Sequence, residues 1–152
     1  MRRSEFEQLV AEGFEHLPQW VREKIKNVAL LVEDEPSEED RKAQGLGEDE
    51  TLLGLYKGIP LSARGENYGV GMTMPDTITL YRVPIEDTAK DELSTYEVDS
   101  GEKVSVGTID LVGRYREIVQ KIIAETIWHE FAHHFGMDER EVREREGKRD
   151  MI

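Results

Sequence analysis

The stretch WHEFAHHFGMDERE, residues 128–141, decides how this chain is read. It contains three of the four histidines, a glutamate next to the first of them, and a glycine followed two residues on by a pair of acids. Within it, His129-Glu130-Phe131-Ala132-His133 has the form H-E-x-x-H. On a helix, four residues advance about 6 Å along the axis and about 40° around it. Two imidazoles so spaced can share one zinc ion, whose bonds to histidine nitrogen are about 2.0–2.1 Å long. Glu130, about 100° further round, is poorly placed to ligate but well placed to reach a water on the metal. That combination serves hydrolysis, in which the metal acidifies a water and a carboxylate moves its proton.

A hydrolytic zinc needs a third protein ligand and an open fourth position. Gly136 is a helix stop of the kind found just past helix ends, and it turns the chain back. Asp138 and Glu139 follow within reach. Glu139 is the expected ligand, because its offset of ten from the first histidine is that of the third ligand in H-E-x-x-H-x-x-G-x-x-H sites. Asp138 is the alternative; otherwise it caps a charged terminal helix. The motif alone arises by chance in roughly 1–2% of chains of this composition, so the glycine and the acid at +10 carry much of the weight. A purely structural reading is physically awkward as well. Two histidines and a glutamate at the end of an apolar stripe would each need a separate polar partner, whereas one metal satisfies both rings.

The helix carrying this motif can be traced backwards. Tyr115, Val119, Ile122 and Thr126 step by 4, 3 and 4, and further steps of 3 and 4 reach His129 and His133. A long helix from about Asp110 is expected, with both histidines continuing its inward face. His134 lies about 100° off that face, either in a direct role such as oxyanion stabilisation or as packing. His16 reads as a surface residue. Tyr56, Tyr68 and Tyr81 could each supply a transition-state hydrogen bond, although aromatics in or beside strands more often build core.

At the front, Ser4 to Glu7 fits a capping box, with Phe6, Leu9, Val10, Phe14 and Leu17 at helical spacing. Pro18 opens a second short helix carrying Trp20, Val21 and Ile25. NVALLVEDEP, residues 27–36, reads as a buried strand. Residues 37–50 read as an acidic solvated loop with at most one helical turn, and residues 51–58 as a second strand. A Gly-rich irregular stretch follows. TITLYRVPI, residues 77–85, alternates and is expected to be a third strand; residues 86–108 look irregular, an excursion or a hairpin around Asp99-Ser100-Gly101. Helices at both ends with strands between them make one α+β domain over residues 1–152.

Composition narrows the function classes. The 152 residues carry a net charge of −13, with 38% hydrophobic and 35% charged residues. Nucleic acid and anionic membranes are disfavoured partners, because both need clustered Lys and Arg. The absence of cysteine removes disulfides, thiolate metal sites and cysteine nucleophiles. No signal peptide is expected from MRRSEFEQLVAEGF, and VALLV is far too short to span a bilayer, so a cytoplasmic location is expected.

With those residues in view, the chain resembles the small bacterial zincin-like metallopeptidases, or minimal metallopeptidases, relatives of the aspzincin and metzincin groups. The resemblance runs through FEQLVAEGFEHLPQWVREKIKNVALLVEDEP, LLGLYKGIPLSAR, PDTITLYRVPI and IIAETIWHEFAHHFGMDE. Its most specific part is the HHFG continuation of the motif. It implies a compact zincin-like fold: a small mixed sheet against a long active-site helix, flanked by N- and C-terminal helices. It also implies one zinc per chain and peptidase activity on a peptide or protein substrate. His129 and His133 match the ligand histidines, Glu130 the general base and Gly136 the turn. Where the family commonly has Asp as third ligand this chain has Glu139, with Asp138 just before it, and residues 86–108 look longer than the family norm. Zincin substrates usually pair with an edge strand, for which TITLYR is the candidate.

The competing reading is a metal-stabilised peptide- or protein-binding module that does not turn over, which a fourth protein ligand closing the metal would favour. A deformylase-like site needs a cysteine ligand. A thermolysin-like site needs a glutamate some 20 residues past the second histidine, where this sequence has reached Ile152.

Overall fold

The computed structural model describes residues 1–47, 50–58, 75–99 and 110–134. Among them, five helices surround one three-stranded sheet. In chain order these are α1 (Arg3–Glu15), α2 (Gln19–Lys24), β1 (Ala29–Glu33), α3 (Glu38–Ala43), β2 (Gly54–Lys57), β3 (Thr77–Tyr81), α4 (Arg82–Asp99) and α5 (Asp110–His134). The mixed α+β class expected from the sequence is the one found. Residues 135–152, where the terminal helix was expected, lie outside the described residues.

The sheet order is β1-β3-β2, with β1 parallel and β2 antiparallel to β3. The register sets Leu30, Val32, Ile78, Leu80, Gly54 and Tyr56 on one face. That face packs on the helices: Ile78 and Leu80 are fully buried in a core with Phe6, Leu9, Val21, Val119, Ile123, Ile127 and Phe131. β1 is an edge strand whose Leu31 is exposed, not the buried strand expected, because only one of its faces meets the helical layer. The expected strand 77–85 also needs correction. β3 stops at Tyr81 and α4 begins at once, running through most of the stretch read as irregular.

The switch from strand to helix has local causes. Pro84 falls in the first helical turn, where its missing N–H would lack an intrahelical acceptor in any case. The Val83 N–H donates to the Asp34 carbonyl, and the Arg82 side chain bridges Asp34 and Glu86. Ile85 and Ala89, four apart, are both fully buried. That spacing was the available signal for a helix; the alternation of Ile78, Leu80 and the residues after them masked it.

At the front, α1 begins one residue before Ser4, and its cap, Arg2, makes no side-chain capping bond, so the capping box does not form. α2 opens after Pro18 as expected, and Val21 and Ile25 are buried. Ser37 does cap a helix: its hydroxyl accepts from the Asp40 N–H at 3.1 Å, and α3 occupies part of the expected loop.

α5 agrees most closely with expectation. It begins at Asp110, and Val119, Ile122 and Thr126 are buried along it. Its last turns are held by an aromatic cluster in which Trp20 of α2 meets Trp128 edge-on at 5.7 Å and Phe131 at 6.1 Å. No helix among the described residues is long and apolar enough to cross a membrane.

Candidate metal centre

The candidate centre lies where α5 runs beside β2. Tyr81 N–H bonds to the Leu53 carbonyl, so Leu53, Leu55 and Lys57 turn their main-chain groups toward β3. Gly54 and Tyr56 turn theirs away from it. The Tyr56 N–H is thereby aimed out of the sheet, and it donates to Glu130 Oε2 at 3.2 Å.

Strand and helix keep step here. Two strand residues cover about 6.8 Å and four helix residues about 6 Å, so pairs can recur along the contact. A Cβ on Gly54 would lie 2.6 Å from Thr126 Cγ2. Tyr56 then bonds Glu130, and a Cβ on Gly58 would lie 3.7 Å from His134 Cε1. Thr126, Glu130 and His134 thus form one row, each a turn apart, against Gly54 and Tyr56 of β2 and Gly58 just past it. The lack of a side chain at Gly54 is what lets the helix come this close.

His129 and His133 flank that row. Their rings are nearly parallel, 19° apart, with centres separated by 6.3 Å. A zinc held through one nitrogen of each ring would lie about 3 Å from each ring centre, so this separation is within the span of a shared ion. Imidazoles are donors that suit zinc and not calcium or magnesium, which prefer oxygen. The residues fit the metal in that respect. The inward face does not, however, stay inward to its end: His129 is half-buried and His133 exposed. The reason is that β2 ends at Lys57, so the last turn of α5 passes the edge of the sheet and opens to solvent.

Glu130 is the most perturbed group of the site. Burial pushes its carboxyl above the usual range, and the Tyr56 N–H with the neighbouring His133 and His129 only partly opposes this. A carboxyl so raised is a better proton acceptor than a solvated one. Gly136 and both candidate third ligands, Glu139 and Asp138, lie outside the described residues. No group of three His, Cys, Asp or Glu able to hold a metal occurs among the described residues.

The tyrosines separate clearly. Tyr81 is buried, and burial together with Asp40 pushes its hydroxyl up to about 12, which suits a core tyrosine tied to Asp40. Tyr68 lies outside the described residues. Tyr56 is the one brought to the site: beyond its N–H, its hydroxyl donates to Asp76 Oδ2 at 2.7 Å and its ring stacks on His134. Asp76 is a participant that sequence reasoning missed. Nothing local in Pro75-Asp76 marks its contact with Tyr56 and His134. β3 is central, with both edges paired, so TITLYR cannot offer the edge expected for a substrate; of the two outer strands among the described residues, β2 is the one beside Glu130.

No curated protein matches the chain. The family of zincin-like metallopeptidases matches residues 25–99 and 107–149, most of the sequence, and the match is interrupted at 100–106. The second matched stretch takes in the whole of α5 and the residues that follow the histidines. On that match, and with a half-buried glutamate between two near-parallel imidazoles on the longest of the described helices, the chain belongs to the zincin-like metallopeptidase family.

Proposed function

We propose that this protein is a zinc-dependent peptidase acting on peptides or proteins in the cytoplasm. In this reading His129 and His133 hold one zinc with Glu139 as third ligand, Asp138 being the alternative, and Glu130 is the general base. The observation that carries it is the state of Glu130: desolvated, raised above its usual range, and anchored by one oxygen to the Tyr56 N–H beside the imidazole pair.

A bound zinc acidifies a water and polarises the scissile carbonyl. The chain's own residues do the rest. Glu130 Oε2 is pinned to β2, which fixes the plane of the carboxylate and leaves Oε1 to receive the proton of the attacking water. The water oxygen bonds to the carbonyl carbon, and Glu130 passes the proton to the leaving nitrogen as the C–N bond breaks. The exposure of His133 gives a peptide access to this end of the helix.

The test is a pair of measurements on the full chain purified without chelators. Wild type is expected to hold about one zinc per chain and to cleave members of a peptide library. Glu130→Ala is expected to keep the zinc and to lose about 10²–10⁴-fold in rate. A variant that still cleaves at the wild-type rate removes Glu130 as base. Zinc without any cleavage in wild type makes the protein a metal-stabilised binding module, and no zinc after loading ends the reading altogether.

A further inference from the structure

His134 is clamped on two sides although it belongs to neither the core nor the imidazole pair. Its ring stacks on Tyr56 with centres 3.8 Å apart and planes 15° apart. Its Nε2 lies 4.0 Å from Asp76 Oδ2, the oxygen that accepts the Tyr56 hydroxyl at 2.7 Å. The clamp comes from β2 and from Asp76 just before β3, about 20 residues apart in sequence, yet 39% of the His134 side chain remains exposed. A packing residue gains little from fixing the plane of a ring that still faces solvent. A ring that must present an N–H in one direction gains a great deal, because alignment is what makes a donor effective.

Its place on the helix gives that direction a use. His134 follows Glu130 by one turn on the row that runs along β2, and it adjoins His133 in sequence. In the hydrolytic reading, a peptide carbonyl presented to Glu130 would have His134 one turn further along α5. We propose that His134 is a further catalytic residue: its imidazole N–H donates a hydrogen bond to the scissile carbonyl oxygen and to the oxyanion that oxygen becomes. Tyr56 and Asp76 are its positioning residues. The inference rests on the hydrolytic reading above. When the water oxygen bonds to the carbonyl carbon, the C=O π pair moves onto the oxygen that His134 contacts. When the C–N bond breaks, that pair returns to re-form C=O, and the nitrogen leaves with the proton carried by Glu130. His134 keeps its own proton throughout.

The experiment compares His134→Phe with His134→Gln in the zinc-loaded full chain, on a peptide that wild type cleaves. Phenylalanine keeps a ring on Tyr56 without an N–H; glutamine keeps an N–H without the ring. His134→Phe is expected to lose about 10²–10³-fold in kcat with little change in KM, as for removal of one oxyanion donor. His134→Gln is expected to recover part of that loss. Affinity for a phosphinic peptide, a tetrahedral anionic mimic, is expected to fall in His134→Phe by a similar factor, while affinity for the product peptide holds. Asp76→Asn is expected to lower kcat by about 10-fold at unchanged KM.

A His134→Phe protein with wild-type kcat and phosphinate affinity overturns the proposal and leaves the hydrolytic reading intact. Phenylalanine outperforming glutamine, with a lower thermal midpoint for glutamine, makes His134 a packing residue and also overturns it. So does loss of zinc from His134→Phe. A wild type that cleaves nothing removes the hydrolytic reading, and this inference with it.

Discussion

Two glutamates, Glu86 at the start of α4 and Glu130 near the end of α5, are both drawn out of water, yet their carboxyls end on opposite sides of the usual range. Burial pushes the Glu86 carboxyl up, but hydrogen bonds from Tyr115 at 2.9 Å, the Met1 amine at 3.1 Å and Arg82 outweigh it and hold the group below its usual range. Glu130 has one main-chain donor, 3.2 Å away, and only the neighbouring imidazoles to help it, so burial wins and its carboxyl is raised. The number of donors brought to the carboxylate decides the sign. Glu86 is an anchor joining the N-terminus, α4 and α5. Glu130 is kept under-solvated, which makes it the readier proton acceptor of the two.

If Glu86 is an anchor, removing it damages stability and spares the site. Glu86→Ala leaves Arg82 and Tyr115 facing a void, and about 3 kcal/mol of unfolding free energy is expected to be lost, as for breaking a buried ion pair. Urea unfolding measures that loss, while the zinc ratio of the folded fraction is expected to stay at the wild-type value. A zinc ratio that falls with stability would mean that the two ends of α5 are not separate in role.

The reverse case is Gly54→Ala. A Cβ there meets Thr126 Cγ2 at 2.6 Å and the Thr79 carbonyl at 3.1 Å, so strand or helix has to shift. A cost of about 1–3 kcal/mol is expected, as for overpacking a core. The sharper readout is catalytic: the shift moves Glu130 off Tyr56, so kcat is expected to drop further than the stability change alone accounts for. Unchanged kcat in a destabilised Gly54→Ala protein would break the link between helix approach and the base.

The smallest effect is on acid stability. The folded-state pKa of Glu86 lies below its unfolded value, about 4.3 for a free glutamate. Its contribution is therefore complete above that value and is lost as the pH falls through the folded one. Between pH 5 and pH 3, wild type is expected to lose more stability than Glu86→Gln, read from urea midpoints at each pH. Equal losses would show that Glu86 is not held below its usual range.

How legible the molecule was depends on how far apart the partners are. α5, its start at Asp110 and the relation of His129, Glu130 and His133 could all be read from the sequence, because one helix sets its own spacing through its covalent period. α4 was missed, because a short alternating run beside Pro84 satisfies strand and helix patterns alike and only burial of Ile85 and Ala89 separates them. The rank of β3 as the central strand was not legible either, since alternation within a strand does not say which neighbours it takes.

What the sequence by itself determined is the chemistry available: a helix presenting two imidazoles and a carboxylate, with a glycine and acids behind them. What only the tertiary structure decided is the condition of those groups. Tyr56 lies 74 residues before Glu130, and its N–H reaches the carboxylate because antiparallel pairing turns that group away from β3 and Gly54 lets α5 approach. Asp76 meets His134 only through the same strand order. A local period can place donors on one face of a helix, but solvation and hydrogen bonding of those donors depend on chain segments that only folding brings together.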